Sequence, residues 1–103
     1  MNATVEVRFA KGILEVVMKT ARIDAAVAGE IKQVCDGQWP AQVELLTIDM
    51  ARVEFIDSSG IGALLGLYKR LPASHGAVRL LNTRRAVRSV IELLRLQKVF
   101  ALD

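Results

Sequence analysis

The side chains best suited to chemistry in this sequence stand together at Asp57-Ser58-Ser59-Gly60. Two hydroxyls beside a carboxylate can serve as a nucleophile, a phosphate acceptor or a helix cap. A serine nucleophile needs a base and a group that orients the base. The sequence offers one histidine, His75, in a polar turn, and no G-x-S-x-G elbow, so catalysis is not expected. One cysteine and one histidine do not make a typical zinc site. Gly60-x-Gly62 lacks the lysine that follows a phosphate-binding loop, and no cofactor is expected. Capping and modification remain. Asp and Ser oxygens accept from the free N–H groups of a first helical turn, and glycine lets the backbone turn or be approached closely.

The residues that follow define the surface around those hydroxyls. Ile61, Leu64, Leu65, Tyr68 and Leu71 recur at helical spacing and predict a buried stripe. Gly62, Ala63 and Gly66 fall on the opposite side, with Lys69 and Arg70 after them. Each helical glycine costs about 1 kcal/mol against alanine. The return on that cost is bare backbone where another surface can come close. The expectation is that Ser58 and Ser59 stand exposed at one end of a smooth docking face.

The elements that position this motif read as an α/β chain. Thr4 to Phe9 alternates, with Val5, Val7 and Phe9 on one face; Ala10-Lys11-Gly12 turns, and Ile13 to Met18 returns as the second strand of a hairpin. Asp24 is a candidate N-cap for a helix carried by Val27, Ile31 and Val34 and ending near Asp36-Gly37. Cys35 reads as a small core residue on that helix. Trp39, beside Pro40, is a core lid or a contact residue. Gln42 to Met50 reads as a central strand, and the serine motif, which follows after residues 51–56, lies in a loop between strand and helix. The helix over Gly62–Leu71 ends in a turn at residues 72–76, and Ala77 to Leu81 forms another strand. Asn82 or Thr83 caps a last helix whose core face is Val87, Val90, Ile91 and Leu94. Leu96, Val99 and Phe100 tuck the C-terminus against the sheet. The order ββαβαβα predicts a mixed β-sheet of four to five strands with helices packed on it, the crossover helices lying together on one face.

Composition narrows the function class. At 103 residues the chain is one domain, and no apolar run approaches the length of a membrane span. A single cysteine excludes an internal disulfide framework and fits a reducing cytoplasm. The net charge of +3 is too small an excess to argue for nucleic acid without a concentrated patch. The one concentration is Arg84, Arg88 and Arg95 on a helical stripe, beside Arg85 and Glu92. It is either a solvated helix face or a salt-sensitive surface for an acidic partner. No aromatics interleave with it, which argues against nucleic acid.

The run Phe55-Ile56-Asp57-Ser58-Ser59-Gly60-Ile61-Gly62 resembles the phosphorylation-site motif of bacterial anti-sigma factor antagonists, which are small STAS-domain proteins. The resemblance covers nearly the whole chain and implies a single STAS domain over residues 1–103. It implies that the serine directly after the aspartate, Ser58, is the phosphorylated residue, with Ser59 the second choice. It also places Asp24, of the Ile23-Asp24 pair, near that serine. The implied partner surface is Asp24, Asp57, Ser58, Ser59, Gly60, Gly62, Ala63, Gly66 and Arg70. The implied partners are an anti-sigma factor that is itself a serine kinase and a PP2C-type phosphatase, with no direct membrane insertion. Two other outputs fit the same pattern: an accessory STAS subunit of a lipid-transport ATPase complex, and a partner switch governing secretion or biofilm formation.

Overall fold

Alternating residues at the start of the chain build an antiparallel hairpin, β1 (Val5–Ala10) with β2 (Ile13–Met18), in a computed structural model that describes residues 4–71 and 78–102. Lys11 and Gly12 form its turn with φ of 53° and 80°. Two positive φ values in a two-residue turn match the right-handed twist of the flanking strands. The chain continues through β3 (Arg22–Ile23), α1 (Ala25–Gln38), β4 (Leu45–Asp49), β5 (Phe55–Ile56), α2 (Ser58–Tyr68), β6 (Val78–Leu81), α3 (Arg85–Leu93) and β7 (Phe100–Leu102). Five strands form one mixed sheet in the order β1-β2-β4-β6-β7, antiparallel at β1–β2 and parallel at the other pairs. The α/β class and the mixed sheet are those expected from the sequence.

Register explains how the sheet divides its two faces. Val16, Ile48, Leu80 and Leu102 stand side by side across β2, β4, β6 and β7. The first three of them are fully buried, as are Leu14, Leu46 and Phe100. One residue along, the row is Arg8, Glu15, Thr47, Arg79 and Ala101, and it is mostly polar. Strands step in one direction from β2 to β7, so right-handed crossovers put all three helices over the apolar face. They also start all three helices at the carboxyl end of the parallel strands, the end at which α/β sheets build sites.

A second, two-stranded sheet lies at that end. β3 and β5 pair in parallel, Arg22 beside Phe55 and Ile23 beside Ile56. The segment that leads to the serine motif therefore includes a strand, and the motif itself opens α2 from Ser58 instead of lying in a loop. Two residues hold no period, so no pattern announces them. The central strand is likewise shorter than Gln42 to Met50. Gln42 has φ 64°, and Glu44 N–H donates to Gly12 O at 2.8 Å instead of joining a ladder.

The helices also depart from the sequence reading. α2 starts at Ser58, four residues before the expected Gly62, and its buried positions are Gly60, Ile61, Leu64 and Leu67. Leu65, Tyr68 and Leu71 are only partly buried, so Leu67 replaces them as the core residue. Neither Asn82 nor Thr83 caps α3; Arg84 holds the N-cap with no side-chain bond. Asn82 is turned to φ 57°, and its amide donates to Asp49 at 3.3 Å. Val87 and Ile91 are buried, whereas Leu94 is half exposed. Arg95 lies past α3 with φ 57°, so it does not extend the helical stripe of Arg84 and Arg88. Arg84 instead donates to Ala51 O at 2.8 Å. The strand β7 gives regular form to the C-terminal tuck of Phe100. The turn at 72–76, His75, Ala77 and the side chains of Val34 and Cys35 lie outside the described residues.

Candidate functional site

Asp57 makes the site possible by ending β5 and starting α2. Its backbone is extended (φ −106°), its Oδ1 accepts from Gly60 N–H at 3.0 Å, and its carbonyl accepts from Ile61 N–H at 2.9 Å. Asp24 does the same for α1, with Oδ1 accepting from Val27 N–H at 3.2 Å. Both are N-caps, as their type predicts. Because Ile23 and Ile56 are register partners, the two caps follow one step later on neighbouring strands. The Asp57 N–H crosses the gap to donate to Ile23 O at 3.3 Å. Two helix starts, each capped by an aspartate, thus stand side by side.

Ser58 and Ser59 are exposed on the first turn of α2, and Gly60 turns inward and is buried. The Gly60 Cα faces Ile23 O and Ile56 with no room for a side chain. Gly62 and Gly66 meet the opposite condition. A Cβ on either would find nothing within 4 Å. The outward helix face is therefore as bare as the spacing predicts, with Ala63 half buried between them.

That face is one wall of a groove of about 550 Å3 between α1 and α2. Ala28, Gly29 and Lys32 supply the other wall, and Ile31 and Leu67 reach its base. The α1 wall was not read from the sequence; Ala28 and Gly29, small residues one helix away from Gly62 and Gly66, are the signal that was there. The far end of the groove is closed by an ion pair between Arg70 and Asp36. Arg70 also lies over the Trp39 ring, 5.3 Å from its centroid. Trp39 is partly buried and packed against the core, as a lid would be. Among the described residues, no three of His, Cys, Asp and Glu converge as a metal site, and no helix is long and apolar enough to cross a membrane.

Asp24 and Asp57 cap the two helices that flank the groove, and Ser58, Ser59 and Gly60 make the first turn of α2. Gly62, Ala63, Gly66 and Arg70 line the groove itself. Arg84 and Arg88 belong to α3 and its start, away from the groove lining. Residues 4–103 match the family model of the STAS domain. The chain belongs to the STAS domain family. Within that family it is similar to an anti-sigma F factor antagonist of Paenibacillus polymyxa, 23% identical over 103 residues that cover 99% of this chain and 87% of the relative. An anti-sigma factor antagonist from Mycobacterium paratuberculosis superposes with a TM-score of 0.72 at 28% identity, covering 96% of this chain and 83% of that one. The unphosphorylated form of the anti-sigma factor antagonist SpoIIAA gives a TM-score of 0.75 at 21% identity, over 96% and 87% of the two chains. The phosphorylated form of the Bacillus SpoIIAA gives 0.70, over 96% and 90%. The STAS fold of this chain thus matches structures of both states.

Proposed function

We propose that this STAS protein is an anti-sigma factor antagonist that works by switching partners. In its unphosphorylated form it docks on an anti-sigma factor through Ser58, Ser59 and the bare face of α2, and so releases the sigma factor. The anti-sigma factor is a serine kinase that uses ATP and phosphorylates Ser58; a PP2C-type phosphatase reverses the step. The protein is then ligand and substrate, a cytoplasmic binding module and not an enzyme. The observation that carries this reading is the exposure of both hydroxyls at the head of a helix whose outward glycines meet nothing. The relatives named as anti-sigma factor antagonists support it.

The physics of the switch is local. A phosphoserine adds about −1.5 to −2 charges and three acceptor oxygens. At a helix N-terminus the dipole and free N–H groups tolerate that charge, with the Asp57 carboxylate opposing it. The fold is therefore kept while the surface changes. A partner pressed against Gly62 and Gly66 would have to desolvate the phosphate without a counter-ion, which costs several kcal/mol.

The test is incubation with candidate kinase anti-sigma factors and ATP, followed by mass spectrometry. Phosphate on Ser58, and its absence in Ser58→Ala, is the expected result. A chain that stays unmodified, or that captures a transport ATPase in place of a kinase from its native cell, would overturn it.

A further inference from the structure

Arg22 and Phe55 face each other as register partners across the β3–β5 ribbon, and the guanidinium carbon stands 4.2 Å from the ring centroid. Their successors, Ile23 and Ile56, are buried. Strand alternation therefore turns this pair to the solvent side, where Phe55 is 41% exposed and Arg22 is exposed. Among the described residues no carboxylate lies within ion-pair distance of Arg22; its guanidinium is occupied by the ring alone. Two residues further along each strand come the Asp24 and Asp57 caps, and Ser58 follows directly.

We propose that the Arg22–Phe55 stack is a second contact element of the docking face, one that takes a carboxylate-bearing apolar segment of the anti-sigma factor. This rests on the partner-switch reading above. The ring keeps the guanidinium carbon 4.2 Å from its centroid, and a planar guanidinium fork matches a carboxylate with two donors. The ring beneath offers apolar surface to whatever carries that carboxylate. Arginine and phenylalanine are also among the types enriched at interfaces. Charge complementarity sets the partner's sign. The two neighbouring carboxylates, Asp24 and Asp57, each accept a helix N–H, and the positive ends of α1 and α2 offset part of their charge, so the Arg22 guanidinium is the group on this ribbon that an incoming carboxylate meets. Continuity with Ser58 then ties recognition to release: an acidic segment seated at Arg22 is the kind that a phosphate on Ser58 repels.

The experiment is calorimetric titration of the full chain with its anti-sigma factor at several salt concentrations. The variants are Arg22→Ala, Arg22→Lys, Arg22→Glu, Phe55→Ala, the Arg22→Ala/Phe55→Ala pair, and Arg85→Ala as a distant exposed control. Arg22→Ala should weaken binding about tenfold and flatten the salt dependence, with Arg22→Glu weaker still. Arg22→Lys should restore only part of the loss, because an ammonium lacks the fork. The double variant should lose less than the product of the single losses, as contacting residues do. Thermal melts of each variant separate lost contact from lost fold. Undiminished affinity in Arg22→Ala and Phe55→Ala, in a complex that Ser58→Asp still abolishes, overturns the stack and leaves the Ser58 reading standing. A weakened Arg22→Ala complex with an unaltered salt slope overturns the carboxylate. A wild-type chain that binds no anti-sigma factor overturns both.

Discussion

The backbone oxygen of Ile23 occupies the space into which a side chain on Gly60 would project, and Ile56 Cγ1 would stand only 2.6 Å from a Cβ placed there. This contact brings the first turn of α2 down onto β3. Gly60→Ala should therefore destabilise the protein by about 1–3 kcal/mol through overpacking. Gly66→Ala should stabilise it by roughly 1 kcal/mol, since the new methyl meets open space and removes the helical glycine penalty. Thermal melts decide between them, at about 4–8 °C per kcal/mol for a domain of this size. The opposite order of melting temperatures would contradict the packing described.

Removing the Asp57 carboxylate should cost about 0.5–2 kcal/mol, because Gly60 N–H loses its acceptor at the head of α2. Asp24→Ala should cost a comparable amount through Val27 N–H. Urea unfolding of both, with the asparagine variants as cap-retaining controls, measures the effect.

Ser58→Asp should unfold within about 0.5 kcal/mol of the wild type, as exposed substitutions do, because a helix start accepts negative charge. The same variant should fail to bind the anti-sigma factor, whereas Ser58→Ala should bind and resist release. Equal affinity of the two variants would be inconsistent with an electrostatic switch.

Acid should weaken the hairpin edge through Glu6. Its carboxylate takes a hydrogen bond from Lys19 and another from Arg8, and the two hold it below its ordinary value of 4.5. A depressed folded-state pKa contributes stability that is present above the unfolded value and is lost as pH falls through the folded one. Glu6→Gln should therefore differ from the wild type at pH 7 and converge with it well below pH 4. Denaturant titrations across that range supply the comparison.

Arg95 takes φ 57° just beyond α3, where its N–H bonds Glu92 O at 3.0 Å and Leu96 N–H bonds Ile91 O at 3.0 Å. This is the helix-ending position that glycine usually fills. A left-handed residue with a side chain costs about 1–2 kcal/mol, against about 0.5–1 kcal/mol of extra chain entropy for glycine. Arg95→Gly should give a small net gain, under about 1 kcal/mol, visible as a higher melting temperature.

The parts of this molecule that were legible in its sequence are those decided by near neighbours. Alternation in Val5, Val7 and Phe9 set the hairpin, and the capping roles of Asp24 and Asp57 follow from carboxylates that bond three residues ahead. The bare face of Gly62 and Gly66 followed from helical spacing alone. Leu67 was missed because its neighbour Leu65 offered the same chemistry two residues away, on the far side of the wheel. Partners distant in sequence left no trace: Asp36 finds Arg70 across 34 positions, and Arg22 meets Phe55 only once β3 and β5 pair. Asn82 looked like a cap and is one of the few residues that tolerate its left-handed turn.

The small ribbon of β3 and β5 is bonded to itself and not to the main sheet, and it runs straight into both capping aspartates. It acts as a yoke. A load placed on the head of one helix passes through peptide bonds and hydrogen bonds to the head of the other, without a flexible side chain between them. A partner that docks on Ser58, as proposed above, would push against the stiffness of both helices at once.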